Sequence, residues 1–307
     1  MSQSVAFIGL GNMGSRMARR LVASGYEVLG FDPGLSGQTG IVTTWAGTLL
    51  EVTSADIILL SLPDASVVAS VMKGHDGAVG LLSQLRKGHT VVDLTTSSPS
   101  LSRELSESAH LREAEFLDVG ISGGSAGAEN GSLTLMVGGS ETALESVRPV
   151  LGVISSMVVH MGDSGAGHAT KILNNFLNAI SLSASSEVLM AAQVAGLDVS
   201  RVLKVINAST GANWATLNRF PHIIAGDYLE GGLTSKLMMK DIQLYLDYVA
   251  QVGVPSLHAS GPVAAFGSAI QRGYGDEISN KVVDAIGDMA GGYRLRATPG
   301  PKNSQPE

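Results

Sequence analysis

Lys171, Asn174, Asn175 and Asn178 follow closely on a glycine-rich entry, Gly165-Ala166-Gly167. On a 3.6-residue period they share one helical face, while Ile172, Leu173, Phe176 and Leu177 cover the others. Asparagine is a poor helix former, so three of them on an otherwise apolar helix point to a polar pocket rather than a solvated stripe. Lysine suits acid–base work, because desolvation or a nearby positive charge lowers its pKa toward neutrality. A second segment, Asp118-Val119-Gly120-Ile121-Ser122-Gly123-Gly124-Ser125-Ala126, sits just past a strand-like run. Consecutive glycines let backbone N–H groups converge on an anion and Ser122 adds a hydroxyl, a set that suits a carboxylate. An ordinary flexible loop reads equally well from this segment alone. In Lys236-Leu237-Met238-Met239-Lys240-Asp241, Lys240 and Asp241 adjoin on a helix, where surface lysine is the default.

The fourth chemical signal stands near the N-terminus. Gly9-Leu10-Gly11-Asn12-Met13-Gly14 follows the apolar run Val5-Ala6-Phe7-Ile8 and opens a helix. Gly9 allows a tight turn, Gly11 lets a pyrophosphate approach the backbone, and Gly14 lets helix pack on strand. The helix then directs its N–H groups and positive end at the phosphates. Asp32 ends the next strand, 18 residues past Gly14, where its carboxylate can accept the adenosine-ribose hydroxyls. A 2′-phosphate would be repelled there, so the expected dinucleotide is NAD rather than NADP. Its oxidised nicotinamide would supply a positive charge able to act on Lys171.

The elements that must position these residues follow from patterning. Strand-like runs at Glu27–Phe31, Ile57–Leu60, Thr90–Leu94, Phe116–Val119, Leu133–Val137 and Val158–Met161 alternate with helical stretches, as in a parallel, doubly wound α/β sheet. Ligands in such sheets bind beyond the carboxyl ends of the strands. From Gly165 helical periods replace strands: Lys171–Ala195, Ser200–Ala208, Trp214–Ile224, Thr234–Val252, His258–Arg272 and Asp276–Met289. The expected organisation is a Rossmann-type dinucleotide domain over 1–164, an all-helical domain over 165–295, and a disordered tail over 296–307 with the composition of one.

Composition narrows the function classes. The chain has 307 residues, 44% hydrophobic and 15% charged, which favours extensive burial, including subunit contacts. It has no cysteine, which excludes disulfides, thiolate metal sites and a cysteine nucleophile and fits a reducing cytoplasm. A formal net charge of −7 gives no reason to expect nucleic acid. The run Met1-Ser2-Gln3-Ser4 into a strand leaves no room for a signal peptide. The long apolar stretch Phe176–Ala195 is broken by polar residues and reads as a core helix, not a membrane span. No metal site is expected.

Taken together, the GxGxMG turn, the DxxxSGG loop, the GxGxxxKxxNN helix and the later Lys-Asp pair resemble the β-hydroxyacid dehydrogenase family, over nearly the whole chain to about residue 290. The resemblance implies a helical domain like that of 6-phosphogluconate dehydrogenase, a homodimer or homotetramer, and a site in the cleft between the domains. It makes Lys171 the acid–base, gives the substrate carboxylate to Ser122, Gly123 and Gly124, and gives substrate binding to Asn175 with Asn174 beside it. Lys240 would touch cofactor or substrate, and Leu62, Pro63 and Thr96 would line the cofactor groove. By analogy Ser209–Trp214 also faces the pocket. Two departures bear on substrate choice: Gly120 stands where proline is common, implying a looser loop, and Leu233 stands where many members carry phenylalanine. Alternatives weighed are an imine reductase-like enzyme, against which Lys171 argues, a full-length 6-phosphogluconate dehydrogenase, for which the chain is too short, and a non-catalytic dinucleotide-binding module.

Overall fold

The computed structural model describes residues 4–35, 37–229 and 232–297. Residues 298–307 of the expected tail lie outside the described residues. Packing divides the chain into two units after Ile172, inside the long helix.

The first unit runs β1 (Val5–Ile8), α1 (Asn12–Ala23), β2 (Val28–Phe31), β3 (Thr44–Trp45), β4 (Ile57–Leu60), α2 (Ala65–Lys73), β5 (Thr90–Asp93), α3 (Pro99–His110), β6 (Glu115–Ser122), α4 (Gly124–Asn130), β7 (Leu133–Gly138), α5 (Glu141–Ile154) and β8 (Ser155–Gly162). Its eight strands form one sheet in the order β3-β2-β1-β4-β5-β6-β7-β8. Side-chain alternation splits the core between the two faces. Val5, Phe7, Ile57 and Leu59 join one cluster, while Ala6, Ile8, Ile58 and Leu60 join the other. Burial on both faces is why these strands are uninterrupted apolar runs.

The sheet is not wholly parallel as the pattern implied: β7 runs antiparallel to β6, and β8 parallel to β7. A parallel return needs a crossover of about a dozen residues or more. Only Gly123–Ser132, with the short α4, separates β6 from β7.

The second unit continues α6 (Ala166–Val194), which begins in the first, and adds α7 (Val199–Asn207), α8 (Trp214–Asn218), α9 (Phe220–Ile223), α10 (Ser235–Gln251), α11 (Ser260–Ala269) and α12 (Val282–Met289). The single helix expected over Trp214–Ile224 is broken at Arg219, because Pro221 has no N–H to continue the ladder. Leu182, Leu189, Phe220, Met238, Ile242, Phe266 and Val282 are among its fully buried core. Arg296 and Ala297, assigned by composition to the tail, are held by Gln193 Oε1 and the Ile224 carbonyl, each at 3.0 Å. Among the described residues no helix is long and apolar enough to cross a membrane.

Candidate active site

The glycine turn has the shape a pyrophosphate needs. Gly9 has φ +85°, and a side chain there would collide with the Ser61 carbonyl. Gly14 lies against the Gly9 carbonyl, so a Cβ would separate α1 from β1. Nothing lies within 4 Å of the position a Gly11 Cβ would take, so the backbone there is open to a ligand. Gly11 is also the N-cap of α1 and offers no side-chain bond to the first turn, which starts at Asn12 and Met13. The first N–H groups of a helix entered in this way are the donors such a turn can offer to a phosphate.

Asp32 is tied into the same turn. Its Oδ2 accepts from the Leu10 N–H at 2.8 Å and its Oδ1 from the Gly34 N–H at 2.9 Å. Each oxygen retains acceptor capacity, so the carboxylate is oriented before any ribose arrives. Leu10 itself is fully buried in the core, which confines its part to its backbone. On the neighbouring strands the Leu62 N–H donates to Thr95 Oγ1 at 3.0 Å, Pro63 is exposed, and Thr96 is half-buried one residue further on. All these residues stand past the carboxyl ends of β1, β2, β4 and β5, where ligands of such sheets bind.

Lys171 is positioned by β6. Asp118, wholly buried, accepts from the Gly165 N–H at 2.7 Å through Oδ1 and from the His168 N–H at 2.8 Å through Oδ2. A carboxylate there satisfies orphan donors and complements the helix dipole, fixing the start of α6. Gly167 packs so closely on the Asp118 and Met136 carbonyls that a Cβ could not be accommodated. One turn on, a Cβ on Gly120 would stand 2.5 Å from Lys171 Cβ. Gly120 is therefore no loop loosener. It is a buried strand residue whose missing side chain admits the lysine stem. Strand alternation places Asp118, Gly120 and Ser122 on one face of β6, so Ser122 is the next residue along from the seat of Lys171. Gly123 and Gly124 follow with φ +125° and +63°, in the left-handed region that favours glycine.

Under this helix His168 is fully buried, with Nδ1 2.8 Å from Ser102 Oγ. Asp93 is buried too. Its carboxyl is pushed above the usual range by desolvation, against the opposing pull of His168.

In the helical unit, Asn175 is buried and donates from Nδ2 to Asp241 Oδ2 at 2.5 Å. Lys240 Nζ stands 3.3 Å from Asp241 Oδ1, at ion-pair distance but off the hydrogen-bonding direction. Asp241, which sequence reading treated only as the neighbour of a lysine, thus holds two candidate site residues. Asn174 is exposed, as are Leu173 and Leu177, so the polar face narrows to Lys171 and Asn175, with Asn178 half-buried. A concavity of about 750 Å³ lined by Ile224, Tyr228, Lys281, Asp284 and Arg294 contains none of these residues.

A glycine turn opening α1, an oriented acid at the end of β2 and a buried lysine on the first turns of α6 are the parts a dinucleotide-dependent oxidoreductase requires. Residues 4–162 match the NAD-binding domain of 6-phosphogluconate dehydrogenase, and residues 165–286 match the NAD-binding domain of NADP-dependent 3-hydroxyisobutyrate dehydrogenase. The 2-(hydroxymethyl)glutarate dehydrogenase of Eubacterium barkeri is 33% identical over 294 residues, 94% of this chain and 97% of that protein. An NAD-dependent L-serine dehydrogenase of Pseudomonas aeruginosa is 32% identical, over 88% of this chain and 91% of its own. The structure of Mycobacterium tuberculosis 3-hydroxyisobutyrate dehydrogenase with L-serine superposes with a TM-score of 0.83 at 30% identity, covering 93% of this chain and 99% of that one. The chain belongs to the β-hydroxyacid dehydrogenase family, and its cofactor is NAD. Imine reductases are more distant: that of Myxococcus stipitatus, at 20% identity and a TM-score of 0.63, shares the fold.

Proposed function

We propose that this enzyme interconverts a small β-hydroxy acid and its semialdehyde or keto acid, with Lys171 as general acid–base. The observation that carries the reading is the seating of Lys171 on Gly120, beside Ser122 on the same strand face. In oxidation the neutral Lys171 amine takes the hydroxyl proton, and in reduction its ammonium returns it. The bound dinucleotide would supply the hydride acceptor for the carbinol carbon. Ser122 and the Gly123–Gly124 backbone hold the substrate carboxylate and so choose which carbon reacts, and such positioning supplies much of an enzyme's rate. Asn175, its amide fixed by Asp241, presents its carbonyl oxygen to the substrate, with Asn174 beside it, and Lys240 completes the polar set. Gly9, Leu10, Gly11, Asn12, Met13, Gly14, Asp32, Leu62, Pro63 and Thr96 bind the dinucleotide.

Lys171→Ala tests this directly. Turnover at saturating substrate should fall by roughly 10²- to 10⁴-fold, as expected for losing a general acid–base, with NAD affinity little changed. A variant keeping most of its turnover would remove Lys171 from the chemistry. A panel of 3-hydroxyisobutyrate, L-serine, glycerate and 2-(hydroxymethyl)glutarate, followed by NADH formation, identifies the substrate.

The enzyme works as a homodimer or homotetramer in the cytoplasm in this reading. Supporting the assembly is an apolar depression of about 380 Å³ in the helical unit, lined by Leu173, Phe176, Leu177, Ile180, Tyr245 and Leu257. Leu177 is 64% and Leu257 76% exposed, a costly display of apolar surface in a monomer. Light scattering at micromolar concentration reports the mass.

A further inference from the structure

Arg20, on the last turn of α1, ties together the ends of two other helices. Its Nε donates to the Val153 carbonyl at 3.0 Å and its Nη1 to the Glu129 carbonyl at 3.1 Å. Val153 lies in the last turn of α5 and Glu129 in the last turn of α4. The last carbonyls of a helix have no partner within it and carry the negative end of its dipole, so one guanidinium caps both. Gly131 closes α4 in the left-handed region at φ +66°, and a Cβ there would stand 2.5 Å from Arg20 Cζ, Nε and Nη2. Arg16, one turn earlier on α1, adds an ion pair to the Glu129 side chain at 3.3 Å, but Glu129 is 59% exposed and such a pair contributes little.

α4 has few other anchors at this end. Its seven residues, Gly124-Ser125-Ala126-Gly127-Ala128-Glu129-Asn130, include two glycines and an asparagine, which are poor helix formers, and a helix so short is not stable by itself. Its buried residues are Gly127 and Ala128, so it sends a single methyl group into the core. At its first turn Gly123 and Gly127 lie against Leu133, where Cβ atoms would come within 3.2 and 3.0 Å of Leu133 Cδ2. The Gly127 N–H donates to the Gly123 carbonyl at 3.0 Å, so the glycine pair that follows Ser122 moves with the helix.

We propose that Arg20 is a positioning residue for the substrate carboxylate: by capping α4 it keeps the Gly123–Gly124 backbone where the acid is received. The proposal rests on the carboxylate reading of Ser122, Gly123 and Gly124 given above and adds what holds that loop in place. Without the guanidinium, α4 leaves its seat for part of the time and a binding carboxylate must draw it back. Apparent affinity falls with the fraction of molecules in the competent position, about tenfold if one in ten is seated. Once the acid is bound the loop is in place, so turnover changes little.

The test is steady-state kinetics with the fastest substrate of the four-acid panel, well below the unfolding midpoint. Arg20→Met removes both bonds and keeps the aliphatic stem. KM for the acid should rise about tenfold, with kcat and NAD affinity each within about twofold. Arg20→Lys, which keeps a charged donor, should recover part of the loss. Gly131→Ala disturbs the same contact from the α4 side and should reproduce the rise, and the double variant should be no worse than either single one, because both remove one interaction. Amide exchange at residues 127–130, which needs no substrate, should quicken about tenfold in Arg20→Met while β1 and β6 keep their protection. Unchanged exchange, an unchanged KM for the acid, or a matching loss of NAD affinity overturns the proposal. Ser122→Ala tells its failure from that of the carboxylate reading. A KM raised by Ser122→Ala and by neither Arg20→Met nor Gly131→Ala refutes the positioning role and leaves the site standing, whereas a KM unmoved by all three refutes both.

Discussion

Gly120→Ala is the smallest change that should disturb the chemistry without touching a reacting group. A Cβ at this position lies 2.5 Å from Lys171 Cβ, 3.0 Å from the Gly167 carbonyl oxygen and 3.2 Å from Lys171 Cγ. Carbon pairs settle near about 3.5–4.0 Å, so the lysine stem must retreat by roughly 1–1.5 Å. The retreat has little freedom, because Asp118 holds the Gly165 and His168 N–H groups a turn earlier and Gly167 is wedged on two carbonyls. Misplacement by about 1 Å can cost on the order of 100-fold in rate, and overpacking costs about 1–3 kcal/mol of stability. The expected result is a kcat lower by roughly 100-fold, NAD affinity within about twofold, and a denaturation midpoint shifted down. Stopped-flow NADH formation and equilibrium NAD titration measure the first two. A Gly120→Ala enzyme with kcat within about threefold of the unmutated protein would show that the position of Lys171 is not set by its contact with β6.

Asp32→Asn should narrow the preference for NAD over NADP, which we expect to exceed tenfold in the unmutated enzyme; equal kcat/KM for both cofactors before mutation would refute the charge argument. Asp118→Ala should leave the Gly165 and His168 N–H groups without their acceptor, at about 1–3 kcal/mol each, and urea unfolding together with kcat should register the loss. A pH dependence is expected from His89, held below its ordinary 6.5 first by burial and then by the Arg86 guanidinium. The unfolded chain then binds more protons below pH 6.5, so stability falls as pH drops from there through the folded-state pKa and is unaffected above it. His89→Gln should flatten that acid slope in urea unfolding at pH 5 to 7.

The parts of the site legible in the sequence are those whose chemistry is local. The glycine turn and Asp32 declare themselves because strand, turn and helix follow within one βαβ unit, and the Lys171–Asn175 spacing is a helical spacing. What depends on tertiary contact was not legible. Gly120 read as slack because its neighbour across space, Lys171, is far along the chain. Asp118 belonged to a recognised motif, but its task is performed on a helix that starts two strands later. Asn174 and Asn175 are adjacent letters, and only packing decides which of them faces Asp241. The reversal of β7 was not legible either: the expected strands Phe116–Val119 and Leu133–Val137 leave Gly120–Ser132 between them, about a dozen residues and enough for a crossover, and only the extension of β6 to Ser122 makes the connection too short. The two-residue β3 carries too few residues to show a period.

The bonds of Asp32 to the Leu10 and Gly34 N–H groups constrain any attempt to re-engineer the enzyme for phosphorylated dinucleotides. Exchanging this acid for a serine or arginine would remove the repulsion of the 2′-phosphate and, in the same stroke, release the turn that receives the pyrophosphate. Reading the ribose and shaping the phosphate cradle are functions of one side chain, so neither can be altered alone. A successful switch must therefore bring its own acceptor for the Leu10 N–H, and single substitutions at this position should yield enzymes poor with both cofactors before any that favour the new one.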